Sequence, residues 1–464
     1  MIGRFQEQET LRRLVNSDES EFVAVYGRRR IGKTYLIRET FEGEFTFVHS
    51  GLSRTNMNGQ LHAFRNSLKA YGHEKCPAFR NWLDAFEELK KLILASSQDR
   101  KVVFIDEMPW MDTPKSSFVP ALEYFWNSWA SARKDILLIV CGSATSWIVD
   151  KIIRNRGGLH NRVTEQISLS PFTLAECEQY AEMRGLQLSR RQIAELYMVF
   201  GGVPYYWHFL QRGESPAQSV DRLLFDEKAK LRNEFADLYD SLFKCSEPYL
   251  RIVTALGESE VGLTREELSK ATGLPSSGHF TRYLVELEQC GFLRRFSAID
   301  KRANEVVFQL IDNFTLFWLQ FASANVDHEG DFWSRSLGTG LYHNWRGHAF
   351  ERLCLLHIDK IKQALQIGGV AARVCAYRDA SVQIDLIIDR RDGIVNLCEM
   401  KCTSDPFEIT DEYDAKLRSR REAFLAETGT RNAVHLTFVS ASGLKRNANA
   451  FDVQSVVTLD DLFT

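Results

Sequence analysis

The chain has 464 residues, 44% hydrophobic and 26% charged, with a formal net charge of −3. That length exceeds one compact core and predicts about three domains, while the charge balance excludes a globally basic nucleic-acid-coating protein, so any DNA site must be a local patch. No run of about 18 apolar residues occurs and the opening MIGRFQEQETLRRL is charged throughout, which supports neither a membrane span nor a signal peptide; a cytoplasmic protein is expected. Nine cysteines are scattered from Cys76 to Cys402 without a C-x-x-C pair, as suits reduced thiols. Cys398 and Cys402 bracket Glu399-Met400-Lys401, where packed strand residues are favoured over a metal clip.

After an amphipathic helix carrying Leu11 and Leu14, the stretch Phe22 to Tyr26 predicts a buried strand that stops at a Gly-rich turn. Gly27 to Thr34 fits G-x-x-x-x-G-K-[ST], and Tyr35 onward has helical character, the context this nucleotide-binding motif requires. Gly27 and Gly32 let the backbone turn so that its N–H groups, with the following helix N-terminus, meet phosphate oxygens. Lys33 would reach the β- and γ-phosphates and the Thr34 hydroxyl would ligate Mg²⁺. The cofactor-binding set is therefore Gly27, Arg28, Arg29, Arg30, Ile31, Gly32, Lys33, Thr34 and Tyr35. For the three arginines, contact with phosphate, contact with an acidic neighbour and simple solvation stay open.

A second strand is expected at Phe45 to Val48, followed by helices near Met57 to Tyr71 and Trp82 to Leu94. The run Val102 to Ile105 then ends in Asp106 and Glu107, a Walker B pattern: the first carboxylate would enter the Mg²⁺ shell and the second would orient or deprotonate the attacking water. A third apolar run, in DILLIVCGSATSW, ends at Ser143, which would sense the γ-phosphate, with an ordinary strand-to-helix cap as its rival. Arg162 would serve as an arginine finger only in a homo-oligomer, and an exposed structural role is favoured. From Pro171 to Leu242 the pattern turns helical, with segments at Glu176 to Arg184, Arg190 to Val199 and Val220 to Leu242 broken at Gly201-Gly202-Val203-Pro204. It predicts a helical lid whose rotation would report ATP against ADP.

The motifs YGRRRIGKT, FIDEMPW, CGSATSW and GGVPYY resemble the archaeal-type ATPase family, a branch of the AAA+ and signal-transduction P-loop ATPases. That resemblance implies an ATP-hydrolysing site at Lys33, Thr34, Asp106 and Glu107, a switch-like behaviour, and an adenine contact from the Gly3-Arg4 pair, so Arg4 joins the site.

Farther along, Thr264 and Glu267 form a capping box, a second helix carries Phe280, Leu284 and Leu287, and Glu305 to Ile311 alternates like a wing strand, a pattern that predicts a winged helix-turn-helix. Its expected DNA-facing positions, Ser276, Ser277, His279, Arg282, Glu286 and Glu288, form a thin basic complement, to which Arg294, Arg295, Lys301 and Arg302 would add; DNA contact and a regulatory hinge stay open. In the final segment, Trp345 to Ile361 predicts a helix bearing Glu351, Val382 to Ile388 a strand bearing Asp385, and Val395 to Lys401 a strand ending Glu-x-Lys. Alternation puts Glu399 and Lys401 on one face, where Asp385 and Glu399 would hold Mg²⁺ and Lys401 would position water or stabilise a phosphoryl transition state, with Glu351 as a further candidate catalytic residue. With a helix from Ile409 to Leu425, whose Lys416, Arg418, Arg420 and Arg421 would meet substrate phosphates or solvent, and a strand at Val434 to Val439, this looks like a restriction-endonuclease core.

The expected fold class is α/β: a P-loop parallel-sheet ATPase core at 1–170, a helical lid at 171–242, a winged helix-turn-helix at 243–322 and a restriction-endonuclease-like domain at 345–464. The expected cofactors are ATP and Mg²⁺ and the expected partner is DNA, with no membrane. Two functions are carried forward: an ATP-controlled Mg²⁺-dependent nuclease, and an ATP-dependent DNA-binding regulator whose nuclease-like domain is inactive.

Overall fold

The computed structural model describes residues 2–243, 245–299, 306–323, 330–378 and 382–464. They divide into two compact units, Met1–Ser170 and Pro171–Thr464. Among the described residues, no helix is long and apolar enough to cross a membrane.

The first unit runs α1 (Phe5–Val15), β1 (Glu21–Tyr26), α2 (Lys33–Thr40), β2 (Phe45–Ser50), α3 (Met57–Ala70), α4 (Trp82–Ala95), β3 (Lys101–Asp106), α5 (Phe118–Ser128), β4 (Ile136–Gly142), α6 (Thr145–Ile148) and β5 (Glu165–Ser168). The strands form one sheet in the order β2-β3-β4-β1-β5, and every adjacent pair is parallel. Apolar side chains on both strand faces explain this arrangement, since a parallel sheet is covered by helices on each side. Phe22, Ala24, Val103 and Leu138 pack with Phe64, Phe86 and Phe118 of α3, α4 and α5, whereas Val23, Val25, Phe104 and Ile139 pack with Leu11, Leu36 and Ile37 of α1 and α2. Since β4 lies between β1 and β3, the loop after each of these three strands opens at the same edge of the sheet, where such folds bind ligands.

One histidine in this core has a consequence for pH. His49 in β2 is 3% exposed, its Nδ1 lies 2.9 Å from Ser67 Oγ, and burial pushes its pKa from 6.5 down to about 4. The folded state therefore keeps the ring neutral while the unfolded chain takes up a proton. His49 costs no stability above its unfolded pKa; stability is lost as pH falls from there toward about 4, by up to about 3 kcal/mol. Thermal denaturation followed across this range is expected to show a flatter acid limb in His49→Gln than in wild type.

The second unit runs α7 (Leu174–Arg184), α8 (Arg190–Phe200), α9 (Pro204–Trp207), α10 (Pro216–Val220), α11 (Glu234–Leu242), α12 (Glu247–Gly257), β6 (Leu263–Thr264), α13 (Arg265–Thr272), α14 (Gly278–Gln289), β7 (Leu293–Ile299), β8 (Val306–Leu310) and α15 (Asn313–Phe317). It continues with α16 (Phe332–Ser336), α17 (Gly340–Leu356), α18 (Ile358–Ala364), β9 (Ala372–Arg378), β10 (Gln383–Arg390), β11 (Ile394–Lys401), α19 (Asp411–Thr428), β12 (Ala433–Ser440) and β13 (Val453–Thr458). One hydrophobic core joins residues of α8, α12, α14, α17 and β11, including Phe200, Ile252, Leu284, Leu353 and Met400.

Two local features differ from the pattern read in the sequence. The expected helix Val220 to Leu242 is interrupted: a π-helical turn over Asp221–Phe225 ends where Asp226 leaves the helical region at ψ 149°, and helix resumes only at Glu234. The Asp221 carboxylate meanwhile accepts from Trp333 N at 2.7 Å and Ser334 N at 2.9 Å. The strands of the second unit also form a single sheet, β13-β12-β11-β10-β9-β7-β8-β6, in which Ala298 of β7 pairs with Ala376 of β9. The wing, expected within a winged-helix domain at 243–322, is thereby continuous with the C-terminal strands. The Thr264–Glu267 capping box is present; Lys301, Arg302 and Glu305 lie outside the described residues.

Candidate functional site

In the first unit the P-loop is built by backbone conformations that its glycines allow. Gly27 has φ 138° and Gly32 φ 88°, both in the region that excludes most side chains. Lys33 begins α2, is 5% exposed, and donates from Nζ to the carbonyl oxygens of Gly27 and Arg28 at 2.8 Å each. Its ammonium thus folds back across the loop. Next to it, Thr34 Oγ1 donates to Asp106 Oδ2 at 2.8 Å, joining the start of α2 to the end of β3. Glu107 follows with φ 45° and ψ 42°, a left-handed conformation costing a non-glycine residue roughly 1–2 kcal/mol. This strain turns its carboxylate toward β4, where Glu107 Oε1 accepts from Ser143 Oγ at 2.6 Å and Oε2 from Ser143 N at 3.2 Å. The Glu107 N–H in turn donates to Asp106 Oδ1 at 2.9 Å.

Thr34, Asp106, Glu107 and Ser143 are therefore one continuous polar chain beside Lys33. A threonine hydroxyl and an aspartate carboxylate in mutual contact are hard oxygen donors, the set that suits Mg²⁺, so the residues present fit the ion. Ser143, read in the sequence as a phosphate sensor, holds Glu107 here.

The remaining loop positions have different surroundings. Arg28 is 4% exposed, which removes solvation as its explanation, whereas Arg29 and Arg30 are partly exposed. The Ile31 side chain is in the core with Leu36 and Ile37, leaving its backbone to the loop, and Tyr35 is exposed. Arg4 is buried and donates to Ser170 O at 2.6 Å and Ile31 O at 3.4 Å, tying the chain start to the P-loop. Arg162 is exposed.

In the second unit, β10 and β11 pair antiparallel, with Leu386 opposite Cys398. Glu399 and Lys401 do share a face, Nζ lying 2.8 Å from Glu399 Oε1. The same carboxylate accepts from Tyr413 Oη and pairs with Arg420 through Oε2 at 2.6 Å. Burial pushes the Glu399 carboxyl up, but the Lys401 and Arg420 cations more than offset it and hold it below the usual range. Burial lowers the Lys401 ammonium, yet Glu399 and Tyr413 together raise it by more.

Asp385 is in β10, and its side chain lies outside the described residues. Glu351 does not join the Glu399 cluster: it lies 3.5 Å from His348 on α17, a helix that packs with Cys398 and Met400 on the other face of β11. Strand alternation separates the two faces. Arg420, expected to meet substrate phosphates or solvent, is bound to Glu399, while Lys416 and Arg418 pair with Glu412 and Asp414 one turn away and Arg421 is exposed. Tyr413 was not legible as a site residue, because only the packing of α19 on β11 reveals it.

Around α14, Glu286 is buried rather than exposed and pairs with Arg282 at 2.9 Å. Arg295 pairs with Glu288 at 2.9 Å, and Arg294 donates to Gln309 at 2.7 Å. The two ion pairs, on Arg282 and Arg295, reduce the positive charge that this face offers to phosphates.

Residues 2–209 match the family described as ATPase domains predominantly from Archaea. A protein of Methanocaldococcus jannaschii, itself described as uncharacterized, is 23% identical over 397 residues, 83% of each chain. Among solved structures, a Walker-type ATPase of Pyrococcus abyssi superposes with a TM-score of 0.49 at 14% identity, covering 69% of this chain and 96% of that one. The ORC2 protein of Aeropyrum pernix, in ADPNP–ADP complexes, gives a TM-score of 0.41 at 16% identity, covering 70% and 94%.

Proposed function

We propose that this chain, whose residues 2–209 match the family of ATPase domains predominantly from Archaea, is an ATP-hydrolysing switch whose second unit engages DNA. The observation that carries this reading is the hydrogen-bonded chain from Thr34 through Asp106 and Glu107 to Ser143, with Lys33 alongside.

In this reading the loop amides and the N-terminus of α2 hold the phosphates, and Lys33 exchanges its two carbonyl partners for phosphate oxygens. Thr34 and Asp106 would hold Mg²⁺, which when bound would neutralise charge on the phosphoryl oxygens. Glu107, released from Ser143, orients a water toward the γ-phosphorus and accepts its proton as the bond from phosphorus to the ADP oxygen breaks. Ser143 thereby holds the base out of line until nucleotide and water compete for it.

The DNA arm is supported by the helix–strand–helix–helix–hairpin order over 247–310 and by the α-β-β-β-α-β order of the C-terminal strands. DNA binding by the full chain, measured with single- and double-stranded DNA, is expected to differ between ATP and ADP and to lose that difference in Lys33→Ala. Identical binding by wild type in both nucleotides would sink the switch.

The contact between Glu399 and Lys401 favours a second reading, in which Asp385 and Glu399 hold Mg²⁺ and the domain cuts DNA. Here Lys401→Ala abolishes Mg²⁺-dependent cleavage. If every DNA form stays intact with ATP and Mg²⁺, the domain only grips.

A further inference from the structure

Outside the nucleotide site, the first unit gathers three side chains of metal-ligating type at the connection between α3 and α4. Gly72, with φ 99°, ends the first helix, and His73 N then bonds back to Leu68 O at 3.0 Å. The next turn closes through Cys76 N to His73 O, also 3.0 Å, which brings the two side chains of a His-x-x-Cys segment together. Arg65 Nε fixes the end of that turn by donating to Cys76 O at 2.9 Å.

From α4, Glu88 reaches the same place: its Oε2 is 2.5 Å from His73 Nε2. One ligand atom from each of His73, Cys76 and Glu88 lies within 4.8 Å of the others, the one cluster of this kind among the described residues. Cys76 is 2% exposed, and its side chain reaches only Pro77 O, at 3.8 Å. The Glu88 side chain is 10% exposed and that of His73 21%, so the cluster is closed on the protein side and meets water beside the imidazole.

We propose that His73, Cys76 and Glu88 form a Zn²⁺ site that pins the α3–α4 connection. The donor set is one thiolate, one imidazole and one carboxylate. It matches the borderline-soft preference of zinc and excludes Mg²⁺ and Ca²⁺, which take oxygen alone. With metal–ligand bonds of about 2.0–2.3 Å, tetrahedral ligand atoms stand roughly 3.5 Å apart, so the His73–Glu88 pair, now 2.5 Å apart, must open and any pair near the 4.8 Å limit must close, adjustments that side-chain rotation about the His73 and Glu88 stems supplies. A solvent molecule on the open side completes the shell.

Loading replaces the His73–Glu88 hydrogen bond, and Lys91, 2.7 Å from Glu88 Oε1, stays as the outer partner that orients the carboxylate. The thiol gives up its proton to solvent as the sulfur–metal bond forms, so uptake releases one proton per ion at a pH where the imidazole is neutral. None of the three ligands belongs to the P-loop, the Walker B carboxylates or Ser143.

The ordinary alternative is a histidine–glutamate pair beside an inert buried thiol. Cobalt separates the two, since a thiolate–cobalt bond gives an intense near-ultraviolet absorption that oxygen and nitrogen ligands do not. The metal-free full chain, titrated with Co²⁺ in excess Mg²⁺, is expected to develop that band with one equivalent and to lose it on adding Zn²⁺.

In Cys76→Ser the band is absent. In His73→Asn, which alters the more exposed ligand and keeps the thiol, Co²⁺ affinity falls at least tenfold. No thiolate band in wild type, a band that survives in Cys76→Ser, or unchanged affinity in His73→Asn each overturns the site. Should Cys76→Ser not fold, the wild-type titration and His73→Asn decide.

Discussion

Replacing Glu107 with Gln is expected to leave ATP bound and to slow its hydrolysis by about 10²–10⁴-fold, the usual worth of a positioned general base. The substitution is isosteric, and a glutamine oxygen still accepts the Ser143 hydroxyl that Glu107 accepts at 2.6 Å, so the left-handed turn after β3 is kept. What disappears is the group that takes the proton. Phosphate release under single-turnover conditions, with nucleotide affinity measured separately, distinguishes this from a binding defect. A variant that binds ATP normally and turns over at the wild-type rate would remove Glu107 from the chemistry.

The second large effect is steric. A Cβ on Gly27 would lie 2.3 Å from Leu169 O and 2.7 Å from Ile31 Cδ1, at φ +138°. The nearer obstacle is backbone beyond the end of β5 and cannot swing away. Strained backbone and overpacking each cost about 1–3 kcal/mol, so Gly27→Ala is expected to lower the unfolding temperature and to abolish nucleotide binding. Gly32 supplies the comparison, because a Cβ there meets nothing within 4 Å although its φ is +88°. Gly32→Ala carries the strain of φ alone, so its loss of thermal stability is expected to be smaller. Equal melting temperatures for the two variants would contradict the close approach at Gly27.

The parts of the site that were legible in the sequence are those in which neighbouring residues carry the geometry. Gly27 to Thr34 and Val102 to Glu107 each place a polar end on an apolar strand, and the structure brings Thr34 to Asp106. That Ser143 would bind Glu107, rather than wait for phosphate, depends on β4 lying between β1 and β3, a long-range order that no local pattern encodes.

The C-terminal site shows the same divide. Alternation along β11 correctly put Glu399 beside Lys401. The arrival of Tyr413 and Arg420 from α19, and the packing of the Glu351 helix on the other strand face, are tertiary outcomes. Pairing of β7 with β9 was equally hidden, because edge pairing leaves little trace in a strand's own residues. His73 and Cys76 did carry a local signal, His-x-x-Cys in a glycine-led turn, but Glu88 joins them only through folding.

The central claim is that Lys33, Thr34, Asp106 and Glu107 form one ATP-hydrolysing centre, and steady-state phosphate release by the full chain tests it most directly. Wild type is predicted to release phosphate from ATP with Mg²⁺, to stop when the ion is chelated, and to be inactive as Lys33→Ala. No release by wild type, or release by Lys33→Ala at the wild-type rate, would contradict it.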